Sequence, residues 1–276
     1  HLASTADKYL RFFAEVVERT AALIAQWQAV GWSHGVLNTD NMSILGLTLD
    51  YGPYGFMDDY DPGFICNHSD YNGRYAFNQQ PYIGLWNLSC LAQTLLPFVP
   101  KEELKAVLDS YQETIDRFYR ARMSNKAGFA EERAEDPALL DELKSLMAGS
   151  RVDYTIFWRE LGAFSSEPGA KNERLREHFL SPEQFDVWAA RYRERLHAEQ
   201  SRDEERRVRM DRVNPKYVLR NYLAQGAIEK AQQKDYAEID RLLTLLQDPY
   251  TDHPDMNSYA AAPPNWGKHL SVSCSS

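Results

Sequence analysis

The sequence is poor in cysteine and contains no long apolar run, and both shortages narrow the class of protein. Three cysteines among 276 residues are too few for a disulfide framework, which predicts a reducing, cytoplasmic environment. No apolar stretch approaches the roughly 20 residues that span a bilayer. No hydrophobic segment of a signal peptide is present either, so the sequence predicts no membrane association.

Basic residues are outnumbered by acidic ones. The chain has 31 Lys and Arg against 40 Asp and Glu, a formal net charge of −9. Nucleic-acid-binding domains usually carry a basic face, so this balance argues against nucleic acid as a partner. The Arg-rich run 191–212 interleaves Arg with Glu and Asp at helical offsets, which predicts a solvated, salt-bridged helix face.

Helical periodicity, in contrast, extends over most of the chain. Ser4 and Asp7 form a capping-box pattern ahead of an apolar-periodic stretch, which predicts a first helix of about 24 residues. Later N-caps are predicted at Asp136, Ser181, Asn214 and Asp235. The predicted fold class is therefore mostly α with a small β element.

Residues 32–81 interrupt this pattern, because Gly, Asn, Asp and Tyr accumulate there and helical periodicity is lost. Only residues 44–50 are typical of a short strand or strand pair. Long irregular segments in compact domains are usually functional or disordered. This segment has too many aromatic residues for disorder, which indicates a functional role.

A motif typical of phosphotransferases lies in this segment. His34 precedes Asn41 by seven residues, and Asp50-Tyr51-Gly52 begins nine residues after Asn41. Kinases place a loop of the form H-x-D-x-x-x-x-N after a long helix and follow it with a D-F-G-like turn whose Asp holds a metal. Mg²⁺ prefers oxygen ligands and often takes only one or two protein groups beside nucleotide phosphates. Asn41 and Asp50 would supply that pair.

One position departs from the kinase pattern. Val36 stands where kinases keep the Asp that receives the hydroxyl proton. A valine cannot accept a proton, so ordinary kinase chemistry is disfavoured. Asp40, directly before Asn41, is the nearest replacement carboxylate.

Four strings of this sequence resemble the selenoprotein O family of pseudokinases, which act as protein adenylyltransferases. They are HGVLNTDNMSILGLTLDYGPYGFMDDYDPGFICNHSD, GRYAFNQQPYIGLWNL, NPKYVLRNYLAQGAIEKA and the terminal SCSS. The resemblance implies a protein-kinase-like fold that binds ATP in a flipped orientation and transfers AMP to Ser, Thr or Tyr hydroxyls of protein substrates. It also implies Asp40 as the general base, and Asn41 and Asp50 as the nucleotide-site ligands of Mg²⁺ or Mn²⁺.

Family members also have an amino-terminal lobe with a glycine-rich loop and a Lys–Glu ion pair. This sequence has no Gly-x-Gly-x-x-Gly and no Gly-Lys-Ser/Thr, and only one helix fits before His34. The resemblance therefore implies the helical carboxy-terminal lobe over residues 1–248, with a catalytic loop at 34–41 and a metal turn at 50–52. Residues 249–276 are expected to form an irregular tail. A bacterial member would be cytoplasmic and a eukaryotic one mitochondrial.

Two cysteines suggest redox control. Cys66 follows the metal turn in a Gly- and Asp-rich loop where we expect an accessible thiol, and Cys274 lies near the end of the chain. In the family, some members carry selenocysteine in this terminal region. We predict a reversible Cys66–Cys274 disulfide that restrains the loop.

The competing hypothesis is a non-catalytic pseudokinase scaffold that binds partners through its helical surface. Val36 favours the scaffold, whereas Asp40, Asn41 and Asp50 favour an enzyme. Transfer of AMP is the preferred function because a scaffold does not need oxygen ligands at these offsets.

Overall fold

The computed structural model describes residues 7–273, which are mostly helical with a small two-stranded sheet of β1 (Trp32–Ser33) and β2 (Gly55–Phe56). This confirms the predicted fold class of mostly α with a small β element. The chain divides into two compact units. The first unit comprises the described residues of the ranges 1–54, 63–122 and 271–276, and the second comprises 55–62 and 123–270.

The first unit contains three complete α-helices and most of a fourth. These are α1 (Lys8–Val30), α2 (Gln80–Leu95), α3 (Lys101–Asp109) and α4 (Tyr111–Lys126), whose last residues belong to the second unit. Helix α1 has 23 residues, which confirms the predicted first helix, and it ends at Gly31 in the left-handed conformation with φ 74°. Ser4 of the predicted capping box lies outside the described residues.

Helices α1 and α2 approach each other closely at Gly84. A Cβ atom on Gly84 would lie 2.3 Å from Cδ1 of Ile24 and 2.7 Å from the hydroxyl of Tyr111. That hydroxyl donates a hydrogen bond to the Pro81 carbonyl at 3.0 Å. Gly84 therefore allows α2 to pack into the core of the first unit, and α2 in turn supports the loop described below.

The second unit contains the remaining seven α-helices of the described chain. They are α5 (Asp136–Ser150), α6 (Tyr154–Leu161), α7 (Glu173–Arg176), α8 (Pro182–Ala198), α9 (Asp203–Asp211), α10 (Asn221–Gln232) and α11 (Ala237–Gln247). Ser181 is the N-cap position of α8, as predicted. Helix α5 begins at Asp136 itself, and α11 begins two residues after Asp235, which accepts a hydrogen bond from the Ala237 N–H.

The predicted N-cap at Asn214 is wrong. Asn214 is buried, and its side-chain amide donates to the Lys126 carbonyl at 2.9 Å, while the next helix begins only at Asn221. The Asn-Pro pattern is equally typical of a turn. Here a tertiary hydrogen bond, which the local pattern does not show, fixes the asparagine.

The Arg-rich run 191–212 only partly follows its prediction. Arg195 is buried with Asp136, at 2.6 Å, and with Glu199, at 2.7 Å. Arg206 has no exposed surface and pairs with Asp203 at 2.6 Å. The run is salt-bridged as expected, but its central pairs lie inside the second unit, where burial makes loss of either partner costly.

The predicted strand at residues 44–50 is also wrong. The chain turns at Gly46, whose N–H donates to the Ser43 carbonyl at 3.1 Å and whose φ is 68°. Residues 47–50 form neither a strand nor a helix. Within the described residues, no helix combines the length and apolar character needed to cross a membrane.

Candidate active site

The loop at 34–41 leaves β1 and is held by the side chain of Gln80, the first residue of α2. The Gln80 amide nitrogen donates to the Trp32 carbonyl at 3.0 Å, and its oxygen accepts from the His34 N–H at 2.9 Å. Gln80 is 1 % exposed. The buried amide therefore pairs with the backbone of Trp32 and His34 much as a neighbouring strand would, and it fixes where the loop begins.

His34 ties this loop to the residue that precedes Asp50. Its Nδ1 lies 3.4 Å from the Val36 N–H, and its Nε2 lies 3.0 Å from the Leu49 carbonyl. Burial lowers the pKa of His34, although the Leu49 carbonyl and the Asp50 carboxylate act in the opposite direction. A neutral ring that accepts at Nδ1 and donates from Nε2 satisfies both contacts, so His34 has a structural role and braces the backbone.

Asn41 uses one half of its side-chain amide to close the loop. Its Nδ2 donates to the Val36 carbonyl at 2.9 Å, and its backbone N–H donates to the Asn38 carbonyl at 3.0 Å. The amide oxygen takes no part in either bond. The loop is fixed from a second side by Asn87 of α2, which donates to the Leu37 carbonyl at 3.0 Å.

Asp40 lies in the 3-10 turn Thr39–Asn41, and its side chain is exposed. It directly precedes Asn41 on a loop whose backbone is fixed by the bonds described above. An exposed carboxylate at this point can accept a proton from an approaching hydroxyl, which is the chemistry that Val36 cannot supply.

Asp50 has φ 59°, a left-handed conformation that non-glycine residues rarely adopt. Its carbonyl accepts from the Gly52 N–H at 2.9 Å, and its side chain is exposed. A residue held in this region costs free energy that the surrounding structure must offset, and such residues concentrate at functional sites. In the described part of the chain, no cluster of three or more His, Cys, Asp or Glu side chains is arranged to hold a metal. The predicted ligands, the Asn41 amide and the Asp50 carboxylate, are only two groups, and such a pair is smaller than these clusters.

Gly35 is a site residue that the sequence reasoning missed. Its φ is 80°, and a Cβ there would lie 2.4 Å from the Pro53 carbonyl oxygen and 2.8 Å from Sγ of Cys66. Only glycine fits between these atoms. Gln80 and Asn87 were missed as well, although both belong to GRYAFNQQPYIGLWNL, one of the four strings that carry the family resemblance.

Cys66 lies beneath this loop and is not accessible, which corrects the expectation from sequence. It is 7 % exposed, and its Sγ lies 3.5 Å from the Ser33 carbonyl. Loop composition predicted exposure, but the segment packs against the buried start of the loop. Cys274, the predicted disulfide partner, lies outside the described residues. The terminal segment does reach this region, since the His68 N–H donates to the Val272 carbonyl at 2.7 Å.

Comparisons with known proteins agree with one another. A family model described as protein adenylyltransferase SelO matches residues 1–247. The chain is also 59% identical over 275 residues to a Myxococcus xanthus protein described as protein nucleotidyltransferase YdiU. That alignment covers 100% of this chain and 56% of the relative, so the chain spans about half the length of the curated relative it matches.

Proposed function

We propose, because this chain belongs to the SelO family of protein adenylyltransferases, that the protein transfers AMP from ATP to Ser, Thr or Tyr hydroxyls of protein substrates. The acceptor oxygen forms a bond to the α-phosphorus, the bond from that phosphorus to the β-phosphate oxygen breaks, and pyrophosphate leaves. Asp40 takes the proton of the acceptor hydroxyl. Such a transfer depends on positioning and charge neutralisation more than on covalent chemistry.

The observation that carries this proposal is the hydrogen bond from Asn41 Nδ2 to the Val36 carbonyl. It commits the amide nitrogen to the loop and leaves the oxygen for a cation. His34 links the same loop to Leu49, next to Asp50. We therefore assign Asn41 and Asp50 as ligands of Mg²⁺ or Mn²⁺, which would neutralise the ATP phosphates at the nucleotide site.

The fold proposed for this chain is the helical carboxy-terminal lobe of a protein-kinase-like enzyme. It would extend over residues 1–248, with the catalytic loop at 34–41, the metal turn at 50–52 and a tail at 249–276. The supporting features are the long helix α1 ahead of the loop and the anchoring of the loop by the buried side chains of Gln80 and Asn87.

The assay that tests this function uses the full-length protein with Mg²⁺ and ATP labelled either at the α- or at the γ-phosphate. The proposal predicts label on protein from α-labelled ATP only. Label from the γ-position would show ordinary kinase chemistry. No labelling from either ATP, with a folded protein, would favour the scaffold hypothesis.

We also propose redox control through Cys66 and Cys274. A hydrogen bond joins His68 to Val272; Cys66 is two residues before His68, and Cys274 is two residues after Val272. The Cys66 sulfur lies 3.5 Å from the Ser33 carbonyl, directly before the catalytic loop. Because Cys66 is buried, oxidised glutathione would react first with Cys274, and Cys66 would then displace the bound glutathione. A bond forms between the two cysteine sulfur atoms, while two electrons and two protons pass to glutathione.

Peptide mapping after treatment with oxidised glutathione tests this pairing. We expect a Cys66–Cys274 cross-link and a changed transfer rate that dithiothreitol reverses, with the Cys90→Ser variant behaving like the parent protein. A cross-link that involves Cys90, or recovery of both predicted cysteines as thiols, would refute the proposal.

A further inference from the structure

Exposed Arg74 and Trp86 form a cluster with half-buried Tyr75 in the first unit, which we call the Arg74 platform. The guanidinium carbon of Arg74 lies 5.0 Å from the ring centroid of Trp86 and 5.6 Å from that of Tyr75. Arg74 Nε also donates to the Tyr75 hydroxyl at 3.3 Å. Both rings lie at distances that attract a cation, so they hold the guanidinium in place before any ligand arrives.

Tyr75 connects this platform to the catalytic loop. Its hydroxyl donates to the side-chain oxygen of Asn38, two residues before Asp40. Asp70 fixes the backbone of the platform, because its carboxylate accepts from the N–H groups of Arg74, at 2.9 Å, and Tyr75, at 2.7 Å. The platform therefore has a defined position relative to the proposed general base.

The charge of Arg74 is not neutralised within the described chain. Between residues 7 and 273, no carboxylate lies within ion-pair distance of its guanidinium, although acidic residues outnumber basic ones overall. The surface beside it is aromatic, because Tyr82 and Trp86 are 63 % and 43 % exposed and lie four residues apart on α2. An exposed, pre-oriented guanidinium with unused N–H donors is suited to bidentate binding of a carboxylate.

We propose that the Arg74 platform binds an acidic side chain of the protein substrate and so selects acceptor hydroxyls that have Glu or Asp nearby. This inference rests on the proposed function. Tyr75, the neighbour of Arg74, bonds to Asn38 two residues before Asp40, and two residues of extended chain span about 7 Å. Residues that flank an acceptor hydroxyl bound at Asp40 would therefore approach Arg74. The aromatic rings would then pack against the apolar part of the same segment.

The test uses the full-length protein, α-labelled ATP and a set of synthetic peptides. Each peptide has one central position occupied by a mixture of Ser, Thr and Tyr, and one flanking position fixed as Glu or Gln. We expect at least one flanking position at which Glu raises kcat/KM about tenfold over Gln, the effect of one hydrogen bond to a charged group. Arg74→Gln should abolish this preference and leave the KM for ATP unchanged.

The matched control is Arg120→Gln, which removes another exposed arginine without an ion pair in the described structure and should keep the preference for Glu. The inference would be overturned if Arg74→Gln kept the preference for Glu. It would also be overturned if this variant raised the KM for ATP and left the peptide preference unchanged. Labelling of lysate proteins with no preference in any peptide would overturn it as well, and in that case the proposed function would stand. Absence of all transfer would overturn both.

Discussion

At the residue scale, the two polar atoms of the Asn41 side chain differ in their hydrogen bonding. Its nitrogen closes the loop onto the Val36 carbonyl, and its oxygen takes no part in that bond. Asp40 is exposed beside it and is not needed for those loop bonds. The loop geometry should therefore survive loss of the Asp40 carboxylate, whereas proton transfer should not.

We accordingly expect Asp40→Ala to slow AMP transfer by about 10² to 10⁴-fold, the usual contribution of a general base. The KM for ATP should change little, because the proposed metal ligands remain. Steady-state kinetics with α-labelled ATP measure both quantities. A loss of less than tenfold would assign Asp40 to a structural role.

Lys126 is a second residue whose environment has a measurable consequence. It is 5 % exposed, and its Nζ lies 5.3 Å from the ring centroid of Tyr154 and 5.0 Å from that of Trp158. Burial lowers the pKa of Lys126 to about 7. Between that pH and the usual lysine pKa near 10.4, the unfolded chain binds a proton that the folded chain does not, so stability rises with pH.

The free energy of unfolding should therefore increase between pH 7 and pH 9, by up to about 1.4 kcal/mol for each pH unit. Lys126→Met should flatten this increase, and Lys105→Met, which changes a lysine on the surface of α3, should preserve it. Urea titrations at several pH values provide the measurement. Parallel pH dependences for the parent and Lys126→Met would contradict the account.

At the scale of elements, side chains of α2 fix the geometry of the loop at 34–41, and this was not predictable from local sequence. Gln80 and Asn87 bond backbone atoms between 46 and 50 residues away along the chain. Neutral amides carry no periodic or motif signal for such partners. Local patterns do predict α1, because its apolar spacing and its terminal glycine are both properties of neighbouring residues.

Replacement of Gln80 by Leu should leave the Trp32 carbonyl and the His34 N–H buried without partners, at about 1 to 3 kcal/mol each. The adjacent Gln79 is exposed, so Gln79→Leu should alter stability by no more than about 0.5 kcal/mol. Urea denaturation of the two variants compares them directly. Equal stability of Gln80→Leu and Gln79→Leu would show that the hydrogen bonds of Gln80 contribute little to folding.

The strand predicted at residues 44–50 shows the limit of pattern reading at this scale. Alternating apolar residues favour a strand, but a strand also needs a partner. Gly46 turns the chain instead, with its missing Cβ 2.9 Å from the Cβ of Arg19. That contact joins residues far apart in sequence, and no local pattern contains it.

At the scale of the whole molecule, composition and periodicity predicted a mostly helical chain with a small β element, and family strings predicted the family. They did not predict which charges are buried. Arg195 and Arg206 belong to a run that composition assigns to the surface, yet both lie inside the second unit with acidic partners. Burial of these ion pairs depends on which faces of α8 and α9 pack inward. The charge pattern of the sequence alone does not determine those faces.

The most direct test of the account is AMP transfer from α-labelled ATP by full-length protein that carries Asp50→Ala, with Asp109→Ala as the control for loss of an exposed carboxylate. We predict that Asp50→Ala abolishes transfer with either Mg²⁺ or Mn²⁺, because it removes the only charged ligand of the proposed site, while Asp109→Ala transfers AMP at the parent rate. Unchanged transfer by a folded Asp50→Ala protein would contradict the proposed metal site.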